Sequence, residues 1–157
     1  MGIHFPLIMS LELKISDVEE LSPVEQDGST FDRYKFTAYD GNTEVGHLVF
    51  NRIREPGSSE HQKMDLLFDK GSPRSYVANL NIYGSQECRE VGNDNVAKVG
   101  AKLLRAGNKY SKETFGTSLF GSDVLLAPKQ QLTRDYLMQS TGISQHRSLN
   151  THLYQVL

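Results

Sequence analysis

The sequence predicts a single α/β domain in which helices pack on a mixed, mostly antiparallel central sheet. Three observations lead to this fold class. Strand-like alternation surrounds a tight-turn sequence in the first half, the stretch 95–113 repeats apolar residues at helical spacing, and strands alternate with helices in the second half. A chain of 157 residues is long enough for one well-packed domain and short for two, so residues 1–157 are taken as one unit.

The first half is predicted to consist mainly of strands. Alternation of polar and apolar residues indicates a strand at 11–15, and the acidic stretch 17–29, with its proline and glycine, is predicted to be mostly connection. Two β-rich runs at 31–53 surround the sequence DGN, which is typical of a hairpin turn. Both faces of the second arm are apolar, so we expect a central strand covered on both sides.

The second half is predicted to alternate strands with helices. Apolar residues recurring about every 3.6 positions indicate an amphipathic helix over 95–113, preceded by a strand at 75–84. The other predicted elements are a strand at 63–71, a strand at 117–127 interrupted at Gly121, a helix at 129–141 bracketed by Pro128 and Gly142, and a closing strand at 151–157.

Strict alternation assigns the side chains of the strand at 75–84 to two faces. One face would carry Tyr76, Ala78, Leu80 and Ile82, and the other Val77, Asn79, Asn81 and Tyr83.

Two glycines, Gly100 and Gly107, lie on the apolar face of the predicted helix. Alanine would favour the helix by about 1 kcal/mol at each position. Either a neighbouring element packs very close to the helix, or a ligand approaches its backbone, and the sequence leaves both readings open.

Composition and charge exclude several classes of function. A net charge of -2 and a pI near 6.2 give no general attraction to nucleic acid or to anionic membranes, and the opening segment is too short to span a bilayer. One cysteine, Cys88, excludes an internal disulfide and indicates a reducing, cytoplasmic location. No metal is expected, because metal-ligand spacing is lacking among His4, His61, His146 and His152.

A polar loop joins the predicted strand at 75–84 to the helix at 95–113, as in an anion-binding helix start. The first N–H groups of a helix have no partner inside the helix, and the helix dipole favours negative charge there. Asp94 or Asn95 can cap this end, and Gly100 lets strand and helix approach each other. The arrangement suits a pyrophosphate.

This stretch and its surroundings resemble the GNAT superfamily of N-acetyltransferases. The family's signature is a strand, then Arg/Gln-x-x-Gly-x-Gly/Ala, then an amphipathic helix, and NVAKVGAKLL lies over it with Gly100 on the last glycine. YKFTAYDGNTEVGHLVF resembles the preceding hairpin, RDYLMQSTGI the helix near the end, and THLYQVL a closing strand. The resemblance extends over 31–157.

The resemblance implies an acyl-CoA-dependent N-acyltransferase that moves an acetyl group from acetyl-CoA to an amine on a protein or a small molecule. It implies that strand 79–83, including Ile82 and Tyr83, pairs with the pantetheine arm. The pyrophosphate site would be formed by Asn95, Val96, Ala97, Lys98, Val99 and Gly100, through the N–H groups of 96–100. Glu87 or Glu90 would serve as the base. The position of the family's catalytic acid falls on Met138, and Tyr136, two residues earlier, is the candidate tyrosine there.

Three positions depart from the family's pattern. Asn95 stands where Arg or Gln is usual, Lys98 where the first glycine belongs, and Met138 where the tyrosine belongs. The stretch 16–30 is also too short for the pair of helices that shape the family's acceptor pocket. These departures favour an alternative, a GNAT-like binding or regulatory module without catalysis.

Two further interpretations concern charged and polar residues outside the signature. A nucleic-acid-binding role has support only from Lys98, Lys102, Arg105 and Lys109, which are predicted to lie on the solvated side of the helix. His47, in the central strand, is interpreted as a hydrogen-bonded core histidine.

Overall fold

In the computed structural model, eight strands form one sheet and a long helix packs on it, within the residues the structure describes: 13–26, 29–53, 75–83, 93–122, 133, 143–148 and 151–156. The mixed, mostly antiparallel sheet is thus confirmed. The elements are β1 (Leu13–Ile15), β2 (Glu19–Gln26), β3 (Ser29–Asp40), β4 (Thr43–Ile53), β5 (Ser75–Ile82), α1 (Asn93–Phe115), β6 (Leu119–Ser122), β7 (Ile143–Ser148) and β8 (Thr151–Val156).

The strand order is β1-β3-β4-β5-β6-β8-β7, and β2 pairs with β3 as well. Neighbouring strands are antiparallel except β5 and β6, which run parallel, with Ser75 opposite Leu119. Because α1 lies between these two strands in the chain, β5, α1 and β6 form a crossover connection.

The predicted hairpin is confirmed as β3 and β4. Asp40 pairs with Thr43 across a two-residue turn in which Gly41 has a φ of 60°, a conformation that glycine adopts without strain. β4 is central, as predicted, but only one face is fully covered. Leu48 and Phe50 are fully buried toward α1, whereas His47 on the opposite face is half-buried.

The prediction of a loop at 17–29 is wrong, because β2 occupies most of that stretch. β2 needs no apolar alternation, since it lies at the sheet edge with most of its side chains exposed. Pro23 is tolerated because the register shifts between Leu21 and Val24, a bulge where no ladder hydrogen bond is required. The expectation that 16–30 lacks a pair of helices is confirmed for its described residues.

Two bulges alter the faces of the central strands. Val45 is the unpaired residue of the first, in β4, and Ala78 that of the second, in β5. The bulge at Ala78 corrects the predicted faces of β5, because Val77 pairs with Phe50 and therefore faces α1 with Leu80 and Ile82. Tyr76 faces the other way, with Asn79, Asn81 and Tyr83.

The predicted helix is confirmed and begins two residues earlier, at Asn93. Both glycines are buried at close contacts. A β-carbon at position 100 would lie 2.3 Å from Oγ1 of Thr133, a buried helical residue, and one at position 107 would lie 2.6 Å from Cδ2 of Leu48. Close packing therefore accounts for both glycines without a ligand.

Polar contacts fix the last turns of α1 to the start of β5 and β6. Ser111 Oγ lies 2.6 Å from both Ser75 Oγ and the carbonyl oxygen of Thr117. Because a carbonyl only accepts, Ser111 donates to Thr117 and Ser75 donates to Ser111. The buried Asn108 Oδ1 accepts a hydrogen bond from the N–H of Leu119 at 2.8 Å.

The last strands are partly as predicted. The expected interruption at Gly121 is wrong, since Gly121 pairs with Tyr154 inside β6. The closing strand is confirmed as β8, and β7 was not predicted because its sequence ISQHRS has a single apolar residue. The predicted strand at 63–71 lies outside the described residues, as does the helix at 129–141 except for Thr133.

Candidate functional site

The start of α1 lies at the carboxyl end of β5. Ser111, near the end of the helix, contacts Ser75 at the start of β5, and Leu103 and Ile82 meet beside Gly46, where a β-carbon would be 3.4 Å from each. α1 therefore runs antiparallel to β5. Asn93 lies ten residues before Leu103, so the helix start projects about 15 Å beyond that contact along the helix axis.

Free backbone N–H groups at this helix start belong to its first turn, at about residues 93–96. Residues 97–100 belong to the second turn, where each N–H donates to a carbonyl four residues earlier. Of the predicted phosphate-binding residues, Asn95 and Val96 therefore belong to the turn whose N–H groups have no partner inside the helix.

The side chains of the second turn lie on different sides of α1. Ala97 and Val99 are buried in the core, Gly100 is covered by Thr133, and Lys98 is exposed. Lys102, Arg105 and Lys109 are exposed as well, as predicted for the solvated side.

The predicted catalytic residues Glu87, Glu90 and Tyr136 lie outside the described residues. The two predicted residues at the end of β5 face opposite ways. Ile82 is buried toward α1, and Tyr83 is half-buried on the other face of the sheet.

Four side chains on that other face form a hydrogen-bonded chain, here called the β4–β5 polar network: Glu44, His47, Asn79 and Tyr83. The hydroxyl of Tyr83 donates to Oε2 of Glu44. His47 Nδ1 lies 3.2 Å from the Tyr83 hydroxyl, and His47 Nε2 lies 3.1 Å from Nδ2 of Asn79. The network lies at the carboxyl end of β5, and Glu44 and Asn79 at its two ends are exposed.

The bulge at Val45 places Glu44 in this network. In an unbroken strand, Glu44 and His47 would point to opposite faces because they are three residues apart. The bulge adds one residue, so Glu44 pairs with Tyr39 and shares the face of His47. Gly46 permits the bulge, because a β-carbon there would lie 2.9 Å from the carbonyl oxygen of Asn81.

The hydrogen bonds of the network have one consistent direction. Tyr83 uses its only proton on Glu44, so its oxygen accepts from His47 and Nδ1 of His47 carries the proton. In the neutral ring Nε2 then holds a lone pair, which accepts from the amide N–H of Asn79. The network thus fixes a neutral imidazole with its basic nitrogen toward the exposed end.

Burial and the charge of Lys35 favour this neutral state of His47. Burial lowers the pKa of His47 below its ordinary value, and the positive charge of Lys35 lowers it further, while Glu44 opposes both. Burial raises the pKa of Tyr83, as do the hydrogen bond and the charge of Glu44, so the tyrosine keeps its proton.

His47 was correctly predicted to be hydrogen-bonded, but it is half-buried on the face opposite the core, not a core residue, and its partners were not predicted. Asn79 and Tyr83 are diagonal neighbours of His47 across β4 and β5, because His47 pairs with Asn81. That register becomes visible only once the two strands are paired. Within the described residues, no group of three His, Cys, Asp or Glu side chains is arranged to hold a metal ion, and no helix is long and apolar enough to cross a bilayer.

Comparisons of the sequence with protein-family models and with curated proteins found no match. The GNAT relationship therefore stays a prediction from the residues.

Proposed function

We propose that the protein is an acyl-CoA-dependent N-acyltransferase that moves an acetyl group from acetyl-CoA to an amine. One observation carries the proposal: the first turn of α1 lies beyond the carboxyl end of β5, and the β4–β5 polar network lies at that same end, on the other face of the sheet. A helix start suits the phosphates of the donor, and a polar network with a neutral imidazole suits an amine from which a proton must be removed.

The residues present fit the donor at the helix start. The N–H groups near 93–96 offer hydrogen bonds to a pyrophosphate, and the exposed Lys98 on the next turn adds a positive charge. The pantetheine arm would then run back from the helix start toward Ile82 and Tyr83.

The reaction requires no covalent enzyme intermediate. The amine nitrogen forms a bond to the thioester carbonyl carbon, the carbon–sulfur bond breaks, and sulfur leaves with the bonding electron pair as a thiolate. The products are an N-acetyl amide and the free thiol of CoA. Glu87 and Glu90 remain the bases that the sequence predicts.

A second candidate function is a GNAT-like binding or regulatory module without catalysis. The contact of Thr133 with Gly100 favours it, because this contact explains the glycine of the signature by packing alone. The departures at Asn95, Lys98 and Met138 favour it as well.

Calorimetric titration with acetyl-CoA tests the proposal on the wild type, Lys98→Gly and Lys102→Gly. The Lys102 variant is the control, since it removes an exposed lysine one turn further along the same helix. We expect Lys98→Gly to bind acetyl-CoA about 2–5-fold more weakly than the control, because it loses the exposed charge pair between Lys98 and a phosphate. The change frees no backbone N–H group, since the N–H of residue 98 already donates within the helix. Tighter binding would show that Lys98 obstructs the site.

An assay of CoA thiol release with primary amines separates the two candidate functions. Binding with amine-dependent release supports the acyltransferase. Binding without release supports the module. If the wild type does not bind acetyl-CoA, both the acyltransferase and a module that binds acetyl-CoA are overturned.

A further inference from the structure

We propose that the β4–β5 polar network is the acceptor site, in which Nε2 of His47 takes a proton from a primary ammonium held by Asn79, while Glu44 compensates the charge from the other end of the network. The inference rests on the proposed function for its chemistry and assigns the base to His47 in place of Glu87 and Glu90.

The exposed parts of the network suit a cation with several N–H donors. An ammonium group has three donors and no acceptor. At its Asn79 end the network offers two acceptors for them: Nε2 of His47 and the carbonyl oxygen of Asn79 once its amide turns. The side chain of Asn79 is exposed, so an acceptor amine reaches this end from solvent.

The geometry also prepares His47 to accept the proton. Tyr83 holds the Nδ1 proton in place, so the new proton can enter only at Nε2. Asn79 accommodates both states, because it donates its N–H to the neutral ring and accepts through its carbonyl oxygen once the ring is charged. Glu44, joined to the ring through Tyr83, compensates the positive charge that forms.

The strand pairing places these other charged or titratable side chains on this face: Lys14 on β1, Glu19 on β2, Arg33, Lys35 and Tyr39 on β3, Glu44 on β4, Tyr76 on β5 and Tyr83 just after it. Lys35 repels both an imidazolium and an ammonium, whereas Glu44 attracts both. Because Nε2 points toward Asn79 and away from Tyr83, the ammonium is expected at the Asn79 end of the network, with Glu44 attracting it from a distance.

The step balances in protons and electrons. The ammonium gives one proton to Nε2, and the freed nitrogen lone pair attacks the thioester carbonyl carbon. The carbon–sulfur bond breaks with its electron pair on sulfur, and the second nitrogen proton goes to the thiolate to form the thiol. His47 then returns its proton to solvent, so ammonium and thioester yield amide, thiol and one proton.

Nitrogen NMR of the histidine rings tests the arrangement independently of activity. The His47 signal is identified by its loss in His47→Gln. We expect a neutral ring with a protonated Nδ1 and an unprotonated Nε2, and a mixture of the two neutral forms in Tyr83→Phe. The opposite form in the wild type, or an unchanged signal in Tyr83→Phe, overturns the proposed role of the network.

Kinetics with acetyl-CoA and 1,4-diaminobutane test the chemistry. We expect His47→Gln to lower kcat by about 100-fold or more, as for loss of a general base, with the affinity for acetyl-CoA unchanged. Asn79→Ala, which removes the side chain that holds the ammonium, is expected to raise KM for the amine about 10-fold, which corresponds to about 1.4 kcal/mol. Asn81→Gln is the control, since Asn81 is exposed on the same face, outside the network, and its kinetics are expected to match the wild type.

The pH dependence of the rate separates a proton acceptor from a structural residue. The wild-type rate is expected to fall at acidic pH as His47 becomes protonated, and His47→Gln is expected to lose this limb. If the wild type transfers acetyl groups and His47→Gln keeps both the rate and the limb, the acceptor site is wrong while the proposed function stands. If the wild type neither binds acetyl-CoA nor transfers, the function fails, and with it the catalytic role of His47.

Discussion

The two faces of the sheet are stabilised in different ways. The face covered by α1 is apolar and packed at very short range, with Gly107 against Leu48, and Gly100 of the same helix packs against Thr133. On the opposite face, the side chains of the β4–β5 polar network are half-buried or exposed and joined by hydrogen bonds. The first face therefore depends on side-chain volume, and the second on strand register and protonation.

Aromatic packing shows the same difference between the two faces of the sheet. On the α1 face, Tyr34 lies 5.1 Å from Phe50 and 5.4 Å from Phe115 between ring centroids, and Arg52 stacks over Phe115 at 4.3 Å. These rings leave little room for added atoms, so a methyl group inserted there costs more than one added on the polar face.

The largest expected effect comes from Gly100→Ala. Its methyl group would lie 2.3 Å from Oγ1 and 2.7 Å from Cγ2 of Thr133, so Thr133 or α1 must move. Overpacking costs typically 1–3 kcal/mol, and alanine gains about 1 kcal/mol in helix propensity. Because a 2.3 Å contact is far inside van der Waals distance, the upper end of this range applies, and we expect a net loss of about 2 kcal/mol in the free energy of unfolding, measured by urea denaturation.

The partner variant Thr133→Ala provides the control for this contact. In the double variant Gly100→Ala/Thr133→Ala the methyl group gains space, so the two losses are expected to sum to more than the loss of the double variant. Strictly additive losses would contradict the contact.

Asn79→Gln, which adds a methylene on the polar face, is expected to change stability by less than about 0.5 kcal/mol.

A smaller effect is expected from Asn108→Ala, which removes a side chain that satisfies a buried N–H of β6. The variant leaves the N–H of Leu119 without its 2.8 Å acceptor. An unsatisfied buried donor costs about 1–3 kcal/mol, and we expect about 1 kcal/mol because a small cavity also opens for water. Thermal unfolding checks this value, and loss of hydrogen-exchange protection at Leu119 should accompany it.

The smallest effect is a dependence of stability on pH that arises at the polar face. The pKa of His47 is lower in the folded chain than its ordinary value of 6.5, so the unfolded chain binds this proton first as pH falls. Stability is therefore expected to decrease below pH 6.5 until the folded ring is protonated as well. His47→Gln should flatten this part of the stability curve, and an equally steep decrease in that variant would assign the effect to another group.

Local patterns were sufficient to predict the helix and the hairpin. The spacing of Val99, Leu103 and Gly107 gave the buried face of α1, and the turn chemistry around Gly41 gave β3 and β4. β2 and β7 were not predicted, because edge strands are stabilised by pairing with a neighbour and carry little apolar pattern of their own.

The polar network could be predicted only in part. His47 was identified because a histidine in an apolar central strand needs hydrogen-bond partners. Glu44 could not be assigned to it, because strict alternation places Glu44 on the opposite face and only the bulge at Val45 reverses this. A bulge depends on how two strands pair, which a single strand's sequence does not specify.

The outer strand β2 has a consequence for behaviour at high concentration. A sheet edge is where strands of other molecules add and begin aggregation. The exposed carboxylates of Glu19, Glu20 and Glu25 repel a second acidic copy, Pro23 offers no N–H, and the bulge beside it interrupts the straight ladder that an incoming strand needs. The same irregularities that hid β2 in the sequence thus protect this edge from self-association.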